Sequence, residues 1–140
     1  DKLVTGVQTC ALPIYKKFAE RVYKSKKKLF NIFDKIKKDK KIVIGYGATA
    51  KSTTVLNFCS IDSNFIDYFL DTTSYKINKY TPGTNIKIKK YKNKLSAKDC
   101  SYAYLGAWNF KDEILKKERQ FLQQGGKFIT HVPTPRIISK

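Results

Sequence analysis

The chain has 140 residues and a formal net charge of +18, from 29 Lys and Arg against 11 Asp and Glu. That length supports one domain with a core of its own and leaves no room for a second full one. No apolar run approaches the roughly 20 residues that a helical membrane span requires, which excludes that class.

The charge has two readings. Dense Lys binds polyanions without specificity. Yet only Arg21, Arg119 and Arg136 are arginines, and nucleic-acid readers lean on Arg for bidentate base contacts. Lys, Ile, Asn and Tyr are all abundant, the pattern of an A/T-rich genome. The balance favours a solvated basic surface over a specific nucleic-acid or membrane partner.

Val4 to Ile14 reads VTGVQTCALPI. It lacks the basic start and long apolar stretch of a signal peptide, and it resembles the translation of a sequencing-library adapter. Residues 1–14 are therefore set aside as an artefact without structure of its own, and the natural chain is expected to be truncated upstream of Tyr15. Two further cysteines remain, Cys59 and Cys100, in no CxxC pair, beside a single histidine. No metal site is expected, and two unpaired thiols fit a reducing cytoplasm.

Tyr15 to Lys40 carries Phe18, Val22, Leu29, Ile32, Phe33 and Ile36 at helical spacing, with a Lys-rich opposite face. It reads as an amphipathic helix that packs on the domain and connects it to whatever precedes it. Lys41 to Tyr46 reads as a first strand and Ala50 to Cys59 as a helix. Phe65 to Leu70 forms a second strand ending at Asp71. Thr72 to Thr84 is a polar loop with a tight turn at Tyr80-Thr81-Pro82-Gly83. An alternating strand follows over Ile86 to Lys89, then a buried strand over Tyr102 to Leu105. Asp112 to Gln124 is an amphipathic helix stopped by Gly125-Gly126, and Lys127 to Val132 is the last strand, closed by Pro133 and Pro135. Strands alternating with helices imply a Rossmann-like, doubly wound α/β domain with a mostly parallel sheet, spanning residues 41–138.

In such a sheet ligands sit beyond the carboxyl ends of the strands. There the chain places Gly45-Tyr46-Gly47-Ala48, a strand-to-helix corner without side chains at the glycines, suited to phosphates. The spacing also fits a tight turn with no ligand, because Ala50 replaces the third glycine of the dinucleotide fingerprint. Asp71, 24 residues beyond Gly47, stands near the offset of an acid that binds a ribose hydroxyl; it could equally cap its own loop. Lys51 is placed to reach a phosphate. Trp108 would wall a pocket and Asn109 would hydrogen-bond a sugar or base. His131 reads more readily as a buried histidine than as a general base. No catalytic residue is assigned.

Taken together, IGYGATAKSTTVLNF, FIDYFLDTTSYKINKYTPGTNIKI, AWNFKDEI and GGKFITHVPTP resemble, in order, the C-terminal domain of the nucleotide-sugar C-methyltransferases. The resemblance covers roughly residues 15–138. It implies a parent with a zinc-binding module and an S-adenosylmethionine-binding domain upstream, so that this chain holds no cofactor itself and is inactive alone. It also implies a nucleoside-diphosphate-linked keto-deoxysugar as ligand. Its site would comprise Gly45, Tyr46, Gly47, Ala48, Lys51, Asp71, Lys76, Pro82, Gly83, Trp108 and Asn109. The chain departs from the family pattern at Thr49, Ser52-Thr53, Thr72-Thr73-Ser74, Lys76-Ile77-Asn78 and Gly106-Ala107. The alternative is the NAD(P)-binding Rossmann domain of an oxidoreductase, which rests on the glycine corner and Asp71.

Overall fold

The computed structural model describes residues 2–140, with side chains from Leu12 onward. The elements in chain order are α1 (Lys2–Lys38), β1 (Val43–Tyr46), α2 (Ala50–Cys59), β2 (Phe69–Asp71), β3 (Ile88–Lys90), β4 (Tyr102–Leu105), α3 (Lys111–Lys117), α4 (Arg119–Gln123), β5 (Lys127–Thr130) and β6 (Arg136–Ile138). The six strands form one sheet in the order β3-β2-β1-β4-β5-β6. All neighbours are parallel except β5 and β6. This is the expected mostly parallel α/β sheet, with an antiparallel edge strand added.

The sheet is buried on both faces, which accounts for its short, almost continuous apolar strands. On one face Val43, Phe69, Tyr104 and Ile129 meet Leu29, Phe33 and Ile36 of α1 and Leu56 of α2. On the other, Ile44, Ala103, Leu105 and Phe128 meet Ile114 of α3, Phe121 of α4 and Leu95 of the β3–β4 connection. Each fully buried side chain of this size contributes about 1.5–3 kcal/mol. None of the helices is long and apolar enough to cross a membrane among the described residues.

β1 and β3 each start two residues later than expected, at Val43 and Ile88, and β6 is additional; three further departures have a local reason. The expected helix over residues 15–40 is part of the longer α1, which contains Pro13 and runs without a break from the segment set aside on sequence. The second strand starts at Phe69 rather than Phe65. The Asp62 carboxylate accepts the Asn64 amide at 2.8 Å, and the Asp62 carbonyl accepts the Phe65 and Ile66 amides; this Asx turn removes those donors from the sheet. The Phe65 ring instead packs edge-on against Phe30 and Phe33 of α1. The last helix divides at Glu118, whose backbone leaves helical geometry as its side chain turns into the core.

Helix α2 starts with a capping box. Thr49 accepts the Ser52 amide and Ser52 accepts the Thr49 amide, each at 3.1 Å. Register brings the carboxyl ends of three strands level, Tyr46 opposite Leu70 of β2 and opposite Leu105 of β4. The corner after β1 therefore stands where the order of connection reverses, at the edge between β1 and β4.

Gly45 serves packing inside β1. A Cβ there would lie 2.3 Å from two ring carbons of Phe69, which is fully buried and has no space to yield. Gly45→Ala is expected to lower unfolding stability by about 2–3 kcal/mol, seen as a lower urea midpoint at an unchanged slope.

Candidate functional site

Gly47 takes φ +82°, and a Cβ on it would stand 2.7 Å from the Ala107 Cβ. The β1–α2 corner thus lies directly against the loop after β4. Gly106 fits there because its missing Cβ would otherwise strike the Gly47 carbonyl oxygen. The Gly47 amide donates to the Leu70 carbonyl at 2.8 Å, and the Ala48 amide donates to Asp71 Oδ2 at 2.9 Å. The corner is built by the protein's own groups. Only the Ala50 and Lys51 amides of its first helical turn have no hydrogen-bond partner among the described residues.

Asp71, at the end of β2, is 8 % exposed. Burial raises its carboxyl pKa, but hydrogen bonds from Thr73 and the Ala48 amide, with the Lys76 charge, outweigh burial and hold it below the ordinary carboxylate value. Its Oδ1 accepts the Thr73 amide at 2.8 Å. Lys76 Nζ lies 2.9 Å from the Ala48 carbonyl oxygen and 3.4 Å from Asp71 Oδ2. Asp71 therefore ties the corner to its own loop, the capping role that sequence also allowed, with both oxygens engaged within the chain.

These groups border a cleft of about 480 Å³ beyond the strand ends, lined by Tyr46, Gly47, Thr49, Asp71, Thr73 and Lys76 and closed on the far side by Phe110, Glu113 and Lys117. At its floor, Tyr46 donates to Glu118 Oε1 at 3.1 Å, and Tyr91 donates to the same oxygen. The Leu95 amide donates to Oε2 at 2.8 Å. Glu118 is 1 % exposed and is held by three donors, with no cationic partner among the described residues. Burial pushes the Tyr46 phenol up to about 12 and raises Tyr91 further. Both phenols stay protonated and donate inward at ordinary pH. Lys117 Nζ lies 4.4 Å from the centre of the Tyr91 ring.

A second cleft of about 480 Å³ opens on the other side of Thr49 and Lys76, which line both. Its wall is the Tyr80–Gly83 turn. Thr81 and Thr84 share a buried hydroxyl contact at 2.6 Å, and Asn57 of α2 donates to the Pro82 carbonyl at 3.0 Å. Gly83 has φ +75° and abuts the Asn57 side chain, so its lack of a Cβ serves this docking. Pro82 lines the cleft itself.

The remaining candidates form another group. Lys51 Nζ lies 5.3 Å from the centre of the Trp108 ring. That ring meets His131 edge-on at 6.3 Å, and Asn109 is exposed beside it. None of the four lines either cleft. His131 Nδ1 is 3.0 Å from the Tyr104 hydroxyl, and the two rings stack. Burial pulls its pKa down to about 4. The unfolded chain therefore binds a proton near pH 6.5 that the fold refuses until about pH 4. Between these values, folding stability falls as pH falls, by about 3 kcal/mol in all. His131→Gln is expected to flatten this limb in denaturant titrations at pH 7, 5.5 and 4.5.

Of the residues named from the sequence and the resemblance, the structure brings Tyr46, Gly47, Asp71 and Lys76 to the first cleft. Sequence reasoning did not single out Tyr91, Glu113, Lys117 or Glu118, because nothing in the local pattern sets these residues apart from a solvated helix face or a loop. Among the described residues no three His, Cys, Asp or Glu side chains come together to hold a metal.

The family model for the C-methyltransferase C-terminal domain matches residues 5–133. The chain is also 34 % identical over 125 residues to the C-methyltransferase NovU of Streptomyces niveus. That alignment covers 89 % of this chain and 30 % of the relative, so the chain spans under a third of the protein it matches. The cleft described above therefore lies in a domain of known kinship: the chain belongs to the C-methyltransferase C-terminal domain family.

Proposed function

We propose that this chain is the nucleotide-sugar-binding part of an S-adenosylmethionine-dependent sugar C-methyltransferase, holding a nucleoside-diphosphate-linked keto-deoxysugar. The observation that carries the reading is the meeting of Gly47, Asp71 and Lys76 at one cleft beyond the ends of β1 and β2, in a chain of this family. Methylation at carbon requires a carbanion or enolate, so a 4-keto sugar is the fitting substrate. The domain contributes position: holding the reacting carbon in place accounts for several kcal/mol of a barrier of this kind. The methyl donor, the zinc module and the base that removes the proton belong to the rest of a longer cytoplasmic protein, and the chain alone is inactive.

The oxidoreductase reading loses part of its support, because the Asp71 on which it rests accepts the Ala48 and Thr73 amides and ties the corner to its own loop. Isothermal titration of the chain against a nucleoside-diphosphate 4-keto-6-deoxysugar, S-adenosylmethionine and NAD separates the readings. Heat is expected for the first alone, and Lys76→Ala is expected to weaken it about tenfold by removing a charge-assisted contact. Binding of S-adenosylmethionine or NAD without the sugar nucleotide would refute the proposal.

A further inference from the structure

The two clefts differ in charge although they share the Thr49–Lys76 wall. The cleft over Glu118 carries Asp71 and Glu113 beside Lys76 and Lys117. The second carries Lys76 and Lys79 and no carboxylate. Its rim presents two aromatic rings, Tyr75 at 69 % and Tyr80 at 55 % exposure, and neither packs on another aromatic ring among the described residues. Tyr80 is nonetheless held firmly. It bridges to Lys87 across an antiparallel pair, and the turn behind it is fastened by Thr81, Thr84 and Asn57.

We infer that the second cleft is a nucleoside subsite, with the base stacked on Tyr80 and Tyr75 and the diphosphate crossing the wall at Lys76 and Lys79. This assignment rests on the reading of the domain as a nucleotide-sugar binder and adds the ligand's direction. Carboxylates repel phosphate oxygens but accept hydroxyl groups. The sugar therefore belongs in the cleft with Asp71 and Glu113, and the anionic half belongs in the cleft without acids. Exposed aromatic faces beside lysines suit any base, because every base has a stacking face. Lys76 lies between the two halves, with Nζ anchored on the Ala48 carbonyl. An ammonium has three donors, so this anchoring leaves one for a phosphate oxygen beyond its contact with Asp71.

The test measures affinities of the 140-residue chain for thymidine, uridine, guanosine, cytidine and adenosine diphosphates, for pyrophosphate, and for one nucleoside-diphosphate 4-keto-6-deoxysugar. The best nucleoside diphosphate is expected to bind at least about tenfold tighter than pyrophosphate. Tyr80→Leu and Tyr75→Leu are each expected to lose about tenfold for it while leaving pyrophosphate unchanged; Tyr80→Phe is expected to restore it. Both rings are exposed, so these variants keep the fold. Unaltered nucleotide affinity in both leucine variants overturns the subsite, even if the sugar nucleotide binds and responds to Phe110→Ala in the other cleft. That pattern leaves the broader function standing, whereas failure of the sugar nucleotide and of every nucleoside diphosphate to bind removes both.

Discussion

Asp71→Ala is expected to lower unfolding stability by about 3 kcal/mol and to abolish ligand binding in the cleft. The substitution leaves the Ala48 and Thr73 amides without their acceptor and the Lys76 ammonium without its counter-charge. A hydrogen bond to a charged group contributes roughly 1.5–3 kcal/mol, and orphaning buried donors costs a similar amount. These contributions overlap, which keeps the sum well below their total. Differential scanning calorimetry should show a fall in Tm of roughly 10 °C. Asp71→Asn separates charge from shape, because it retains the volume and one acceptor oxygen. It should fall between wild type and alanine, and it should lose part of the wild-type acid dependence. The folded carboxyl pKa is depressed, so its stabilisation is present above the unfolded carboxylate value near 4 and fades as pH drops through the folded one. This limb lies below the one assigned to His131.

The second large effect is expected at Glu118. Glu118→Ala withdraws the acceptor from Tyr46, Tyr91 and Leu95 together and opens a void beneath the cleft. A cost of about 3–4 kcal/mol follows from the unpaired Leu95 amide, the phenols and the lost packing. Glu118→Gln keeps the volume and one acceptor, and about 1–2 kcal/mol is expected. The phenols supply an independent check at the alkaline end. The folded Tyr46 pKa is raised to about 12, so its contribution is complete below the unfolded value near 10 and disappears as pH climbs through 12. Urea unfolding at pH 8, 10 and 11 should show stability declining only beyond pH 10. Phe at position 46 should reduce that decline.

Much of this architecture could be read in the chain before any coordinates. Alternation of short apolar runs with amphipathic stretches yields the sheet, and α2 and β4 have the expected bounds because local signals and tertiary packing agree there. The Thr49 capping box and the run Tyr102–Leu105 are examples. Legibility fails where a side chain leaves its periodic role. Asp62 takes amides from the start of a strand pattern. Glu118 falls inside the sequence pattern of a helix, yet it breaks that helix and faces inward to partners 23, 27 and 72 residues away. The β6 strand had no signal beyond Arg136-Ile137-Ile138 following two prolines, and it exists because the edge of β5 needs a partner. At the site, the glycine pattern located the corner but did not show the packing roles of Gly45 and Gly83, where the missing Cβ makes room for Phe69 and Asn57. No local pattern distinguishes a glycine that admits a ligand from one that admits a neighbour.

The corner after β1 has a kinetic consequence. Its turn is already locked by Asp71, Thr49 and Ser52, so an arriving ligand finds finished geometry and has no loop to fold around itself. Association in stopped-flow mixing should then be a single exponential, with an observed rate that rises linearly with ligand concentration and reaches no plateau. Amide resonances of residues 43–49 should move little on saturation, while those of residues 73–80 report the arrival.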